Sequence, residues 1–396
     1  MLHYFNPGHE QAVLTDSPHR KLPANPAKMQ RDLAFLPAWY AKSTDYVLVE
    51  DELSADFIQS IDRFDLSKPV TLPNLLQNPN PVNEPVSLWG ISPPGIHFFR
   101  QLNEKSGLNL SVPEQSVEYR ALCSRRTAAE CLEFLIRSNN NISRTILPTF
   151  RNNIEVIDRM VEKETGVYLI KAPYSSSGRG LLRIFDGKII GSERQILSGM
   201  LRKQREVSIE SFLNKKTDFS MQFVVTDSRT VDFIGLSLFK TNEKGAYSGS
   251  FVGAQEKIES VITSDINPVL LNDIKRLLSE FIKEKIAPFY VGNIGTDLMV
   301  YEENNRLLLH PCVEINLRKN MGFLAFKLYE KYLNKEAEGF FQIDFHSQPG
   351  EMLSKHNEMK EIHPLVFDET GLKKGYLSLC PVNRESKYRA FLLIED

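Results

Sequence analysis

Cysteine is scarce: Cys123, Cys131, Cys312 and Cys380 are the only four in 396 residues, and no CxxC pair occurs among them. That excludes a disulfide scaffold and a thiolate zinc site, and it fits a reduced, cytoplasmic setting. Cys123 and Cys131 sit eight residues apart, two helical turns, and are expected to be packed rather than ligating. No apolar run approaches the roughly 20 residues needed to cross a bilayer. Met1 opens directly on a strand-like MLHYF with no charged leader, so neither a membrane partner nor a leader is expected. There is no basic block either. Forty-eight Lys and Arg against fifty Asp and Glu give a net charge of −2, which argues against a nucleic-acid partner. A Walker GxxxxGK[ST] loop is missing, as is any convincing Ser/His/Asp or Cys/His set for nucleophilic catalysis. His346, His356 and His363 are spaced by ten and seven residues, which matches no common metal motif.

What is present suits a multi-domain enzyme. The length exceeds the ~250–300 residues at which one hydrophobic core stops growing, and 42% hydrophobic residues is ordinary for a folded chain. From Leu2 to about Pro113, strand-like and helix-like patterns alternate: LHYF, a helix over Ala27–Lys42, YVLVED, a third strand in PVTLPNLL, and a helix over Ile96–Gly107 ending in a glycine cap. Such alternation predicts a Rossmann-like α/β layer. The Pro- and Asn-rich stretch from Pro73 to Pro85 reads as a loop.

Three later segments carry chemistry. In VEINLRKNMG, Glu314, Asn316 and Arg318 leave one face of a predicted strand, and a carboxylate, an amide oxygen and a guanidinium suit a magnesium–phosphate site. In YLIKAPYSSSGRGLLRI, two short strands flank a loop of Ser175, Ser176, Ser177, Gly178, Arg179 and Gly180. Small residues there let backbone N–H groups approach phosphate, and Lys171 enters the loop with a positive charge that needs an anion if buried. In EVSIESFLNKKTDFSMQFVVT, an apolar run ends at Glu210, a connector follows, and Asp218 opens a strand over Phe219–Val225. This reads as a hinge between lobes.

Together, in this order, the three segments resemble the ATP-grasp superfamily over roughly Arg120 to Lys331. The resemblance implies an α/β and α+β chain: a Rossmann-like pre-ATP-grasp domain (1–118), an ATP-grasp N-terminal lobe (119–205), a C-terminal lobe (206–335) and an extension (336–396). It implies an ATP-dependent carboxylate–amine ligase acting through an acyl phosphate. The alternatives are a phosphotransferase acting on a hydroxyl or a non-catalytic nucleotide-binding module. ATP and one or two magnesium ions are the implied cofactors, small carboxylates and amines the implied partners, and a homodimer is left open.

Residue by residue, Lys171 matches the strand lysine at the nucleotide, and Ser175 to Gly180 match the lid over the terminal phosphates. Glu210, Ser211, Phe212 and Leu213 match the adenine hinge, and Asp218 the ribose acid, which is usually Glu. Asp297, Glu314 and Asn316 match the magnesium ligands, and Arg318 the residue steadying the transferred phosphoryl group. The family's earlier helical lysine is replaced by Arg125 or Arg126, with Arg126 taken as the phosphate contact. If EENN is a tight turn, simple pairing sets Asp297 opposite His310, and a bulge near Pro311 is needed to bring it to Glu314. His310 is then either a packed strand histidine or a residue facing the site.

The loop NPGHEQA follows the first strand, where ligands gather in open α/β sheets, so Asn6, His9 and Glu10 are candidates for the second substrate. WGISPPG offers a similar position with backbone groups and an aromatic face. In the tail, LSLCPVN and YRAFLLIE read as two strands.

Overall fold

A computed structural model describes every residue except 78–83, 164–165, 176–177, 179, 186, 243–244 and 396. The described residues divide into two compact units. One comprises Met1–Gln115, Ser248–Ile258 and Arg318–Asp396; the other comprises Ser116–Tyr247 and Glu259–Leu317.

The first unit starts with a parallel sheet in the order Lys68–Thr71, Tyr46–Val49, Leu2–Tyr4, Val86–Leu88. Strand order reverses beside Leu2–Tyr4, which makes the carboxyl ends of that strand and of Val86–Leu88 a switch point. Leu2, Leu48 and Leu88 bury one face of this sheet with Phe99 and Leu102. The last two come from the helix Pro93–Ser106, whose apolar positions recur at helical spacing and whose end is capped by Gly107 at φ 70°. The helix expected over Ala27–Lys42 is instead Ala24–Asp32 followed by a 3₁₀ turn, Leu36–Trp39. Pro37 explains the break, because it has no N–H to continue the α-helical bonding back to Leu33. PVTLPNLL divides as well, into the strand Lys68–Thr71 and a short helix, Leu72–Gln77.

An antiparallel sheet completes this unit. Tyr247–Val252, Glu338–Phe345, Tyr388–Glu395, Gly371–Ser378 and Val366–Asp368 pair in that order. The tail therefore holds more strand than its sequence suggests, and of LSLCPVN only Leu377 and Ser378 are paired. His346 lies beside Lys355 (2.9 Å) and Glu351 (3.2 Å), and His356 bonds to the Tyr376 hydroxyl at 2.9 Å.

The second unit has two antiparallel sheets. The smaller runs Thr149–Arg151, Val207–Ser211, Tyr168–Lys171, Leu181–Ile184. Helices Ile154–Lys163 and Gly191–Gln204 close it by burying Ile157, Val161 and Leu197 against Ile170, Ile184 and Ile209. The larger pairs Arg306–Asn316 with Gly292–Glu303, then Asn214–Val225, then Val231–Thr241.

Two-residue periodicity gives the central strand Asn214–Val225 two characters. Phe219, Met221, Phe223 and Val225 are buried on one face, while Asp218, Ser220 and Gln222 point to the other. The strand begins at Asn214, four residues earlier than Asp218. Its charged opening is held by cross-strand partners, Asn214 to Glu302 at 2.9 Å and Lys216 to Glu302 at 2.7 Å. No described helix is long and apolar enough to cross a membrane.

Candidate functional site

The polar face of the larger sheet gathers the carboxylates. Asp297 stands directly opposite Glu314, and Gly295 opposite Asn316, so all three side chains emerge on one face. A bulge sets this register. Leu298 alone separates Met299 from Asp297, whereas Pro311, Cys312 and Val313 separate His310 from its fellow Glu314. Pro311 supplies no ladder donor, and the register shifts there. The residue facing His310 is Met299 rather than Asp297.

Asn316 is buried and its amide nitrogen lies 3.1 Å from Asp297 Oδ2. Two carboxylates and an amide on neighbouring strands give a hard-oxygen set of the kind a divalent cation takes. Among the described residues no group of three or more His, Cys, Asp or Glu side chains is placed to hold a metal.

Arg125 reaches this face from the first turn of the helix Arg125–Ser138, which packs on the strand Arg306–Asn316. Its Nη2 lies 3.2 Å from Glu314 Oε2, and its Nε 3.4 Å from Ser175 Oγ. Arg126 points elsewhere. Its Nε donates to Glu206 at 2.6 Å, its guanidinium covers Phe150 at 4.4 Å, and its side chain is 52% exposed. Adjacent helical residues project about 100° apart, so only one of the pair can face the carboxylates. Of the two arginines, Arg125 faces Glu314 and Arg126 faces Glu206.

Lys171 is buried at the end of its strand and forms an ion pair with Glu210. The two sit diagonally, since Lys171 is registered with Ser208 and Leu169 with Glu210. Glu210 therefore lies inside the strand Val207–Ser211, with its carboxylate on Lys171. Beyond it, the Phe212 N–H donates to Val167 O at 2.8 Å, and its exposed ring lies beside Arg183 at 4.8 Å. Leu213 accepts from the Lys215 N–H at 2.9 Å.

At the base of the serine–glycine loop, Ala172 N bonds to Gly180 O at 2.9 Å and Ser175 Oγ to Ala172 O at 2.9 Å. Gly180 has φ 72°, and a Cβ there would meet the Ser175 Cβ at 2.8 Å, so the loop closes only on glycine. Gly178 shares the positive φ, while Ser176, Ser177 and Arg179 lie outside the described residues.

Asp218, expected at the ribose, forms an ion pair with Lys215 and lies 3.4 Å from Thr241 Oγ1. Burial raises its carboxyl above the ordinary range, against the pull of Lys215 and Thr241. It is opposite Met299, one pleat from the Asp297–Ser220 pair and on the same face.

A cleft in this unit brings several of these groups together. Lys171, Glu210, Arg125 and His310 line it, with Phe150 and Leu132 as apolar walls. Sequence reasoning left His310 open. The structure puts it in the wall of this cleft, 5% exposed, and burial lowers its pKa to about 4.

The other candidates belong to the first unit. Arg318 Nε donates to Glu10 Oε1 at 2.6 Å, which joins residues 308 positions apart. Burial works against the Glu10 anion, but the Arg318 charge and His9 outweigh it and hold the carboxyl well below its ordinary value. The folded state therefore binds a proton here less readily than the unfolded chain. Glu10→Gln should destabilise the protein at pH 7, with the difference shrinking as pH falls below 4.5; thermal unfolding from pH 7 to 3 checks it. A difference independent of pH would mean that the pair adds nothing through charge.

Asn6 ties two switch-point loops together, donating to Gly90 O at 2.7 Å and Ser92 Oγ at 3.2 Å while accepting from Gly90 N at 3.3 Å. His9 packs against Gly90, where a Cβ would approach the ring to 2.6 Å. NPGHEQA and WGISPPG thus form one structure, with Asn6 engaged as a strut.

Lys319 escaped the sequence reading. Its Nζ donates to Ser87 Oγ at 2.8 Å and Leu88 O at 2.9 Å, and burial lowers its pKa to about 8. The signal available was a basic residue directly after Arg318 in a segment already marked by polar spacing.

This arrangement is the ATP-grasp fold with a Rossmann-like α/β domain ahead of it. Its likeness is to biotin carboxylase from Campylobacter jejuni, solved as a β,γ-ATP complex, at TM-score 0.55 and 11% identity over 100% of this chain and 87% of that one. N5-carboxyaminoimidazole synthetase from Staphylococcus aureus, complexed with ADP, superposes at TM-score 0.49 and 13% identity over 100% and 93% of the two chains. No family model matches the sequence, and no curated protein matches it.

Proposed function

We propose that this chain is an ATP-dependent ligase that joins a carboxylate to an amine through an acyl phosphate. The observation that carries the reading is the facing pair Asp297 and Glu314, with Asn316 on the same face, inside an ATP-grasp fold. Those three side chains would hold one or two magnesium ions, which when bound supply charge neutralisation on the terminal phosphates of ATP. Arg125 and Lys171 would bring positive charge to the phosphates, and Ser175, Gly178 and Gly180 would offer them N–H donors.

A substrate carboxylate attacks the γ-phosphorus, the bond to the bridging oxygen breaks, and ADP leaves with that electron pair. The amine then adds to the acyl carbon and phosphate departs, giving an amide. The protein's part is positioning and electrostatics, in keeping with the lack of a nucleophilic side-chain set. Biotin carboxylase is named for carboxylation chemistry, which favours a small acid as the activated partner.

ADP release with magnesium and ATP, measured across pooled acids and amines, tests the reading. Release that needs both an acid and an amine supports a ligase. Turnover with a single hydroxyl compound would replace it with a phosphotransferase, and nucleotide binding without turnover in any pool would favour a binding module. In the productive pool, Arg125→Ala should lower kcat/KM by about 10–100-fold, the scale of one charge-assisted contact. Arg126→Ala should change it less than about threefold, since its exposed pair with Glu206 is worth little. Equal losses would reassign the site arginine.

A further inference from the structure

The cleft beside Lys171 contains one polar atom that the protein leaves unsatisfied. His310 Nδ1 is buried and has no hydrogen-bond partner. More than about nine in ten buried polar atoms find a partner, so an exception inside a cleft calls for a ligand or a cost. Burial keeps the ring neutral at pH 7, with its pKa at about 4. A neutral imidazole carries one N–H and one lone pair, and can serve either a donor or an acceptor.

The surroundings specify the shape and edge chemistry of an occupant. Leu132, Pro148 and Phe150 provide apolar walls, while Lys171 and Glu210 place a cation and a carboxylate at the same cleft. Apolar walls with a few convergent polar groups suit a flat heteroaromatic ring whose rim alternates donors and acceptors. The bulge that brings Glu314 opposite Asp297 starts at His310. One irregularity in one strand therefore fixes both the carboxylate pair and the imidazole, at opposite ends of a four-residue step.

We propose that His310 reads the base of the bound nucleotide, its buried Nδ1 hydrogen-bonding to the edge of the adenine ring. The inference rests on the ATP-dependent reading above and adds to it a specificity-determining residue. His310 would contribute to base affinity and nothing to the phosphates, which Arg125 and any metal held by Asp297 and Glu314 would meet.

Calorimetric titration with ATP and with inorganic tripolyphosphate, both with magnesium, separates the two contributions. His310→Phe should weaken ATP binding about tenfold, the effect of one lost hydrogen bond to a buried group, and leave tripolyphosphate binding unchanged. His310→Gln keeps a donor and an acceptor and should recover part of the loss. Unchanged ATP affinity, equal losses for ATP and tripolyphosphate, or no difference between the two variants would overturn the proposal.

A spectroscopic test needs no variant to fold: ATP, but not tripolyphosphate, should shift the imidazole nitrogen resonance of His310 in the wild-type protein. Absence of that shift while ATP binds would sink the assignment and leave the ligase reading intact. Wild-type protein that binds no ATP at all would remove that reading, and this inference with it.

Discussion

Glu314→Ala should lower turnover by about a hundredfold or more, the scale of losing one electrostatic contact to a transferring group. The fold should survive, since Glu314 is only partly buried and lies at the far end of its strand's ladder. Its loss removes the carboxylate facing Asp297 and frees Arg125, whose Nη2 lies 3.2 Å away. ATP affinity should therefore fall less than turnover, because Arg125 becomes available to phosphate. Steady-state kinetics beside an ATP titration separates the two. Wild-type turnover in this variant would end the metal-site assignment. A parallel collapse of thermal stability would show the residue to be structural.

Lys171→Met should have the second largest effect, and on two quantities. Lys171 is buried against Glu210, and removing one member of a buried ion pair leaves the other charge uncompensated, a loss of about 3–5 kcal/mol. It also removes the strand cation proposed for the nucleotide, so ATP affinity should fall as well. The double variant Lys171→Met with Glu210→Leu distinguishes the two roles. Without either charge, stability should return most of the way, since apolar replacement of a buried pair is often close to neutral. ATP affinity should stay low. Recovery of both would make the pair purely structural, and recovery of neither would point to a packing defect at the strand's end.

Much of the site's composition could be read from period-two spacing alone. Glu314 and Asn316 share a strand face as their spacing predicts, whereas Arg318 lies past the strand's end at Asn316 and bonds to Glu10. Lys171 enters a serine–glycine loop whose flanking strands pair in the expected hairpin, Tyr168 with Ile184 and Lys171 with Leu181. The fold class was legible for the same reason, because alternating apolar patterns report local periodicity directly.

Choices between neighbours were not legible. Arg125 and Arg126 have the same charge and adjacent positions, and only the rotation of their helix against the strand Arg306–Asn316 selects Arg125. Residues at strand ends were misread too. Asn214 to Thr217 look like a solvated connector, yet pairing with Gly292–Glu303 draws them into the sheet. Strand propensity is weak evidence when the partner lies eighty residues away.

The sequence by itself determined the local chemistry: which segments alternate, which loop is small enough to approach phosphate, and where oxygen ligands and positive charges occur. Tertiary structure alone decided which of them meet. Asp297 faces Glu314 because a bulge at Pro311–Val313 shifts the ladder, and Glu10 holds Arg318 across 308 positions of chain. Spacing constrains residues within a single helix or strand, where backbone geometry is fixed. Register, bulges and helix rotation are set by long-range packing and by hydrogen bonds that must all be satisfied together.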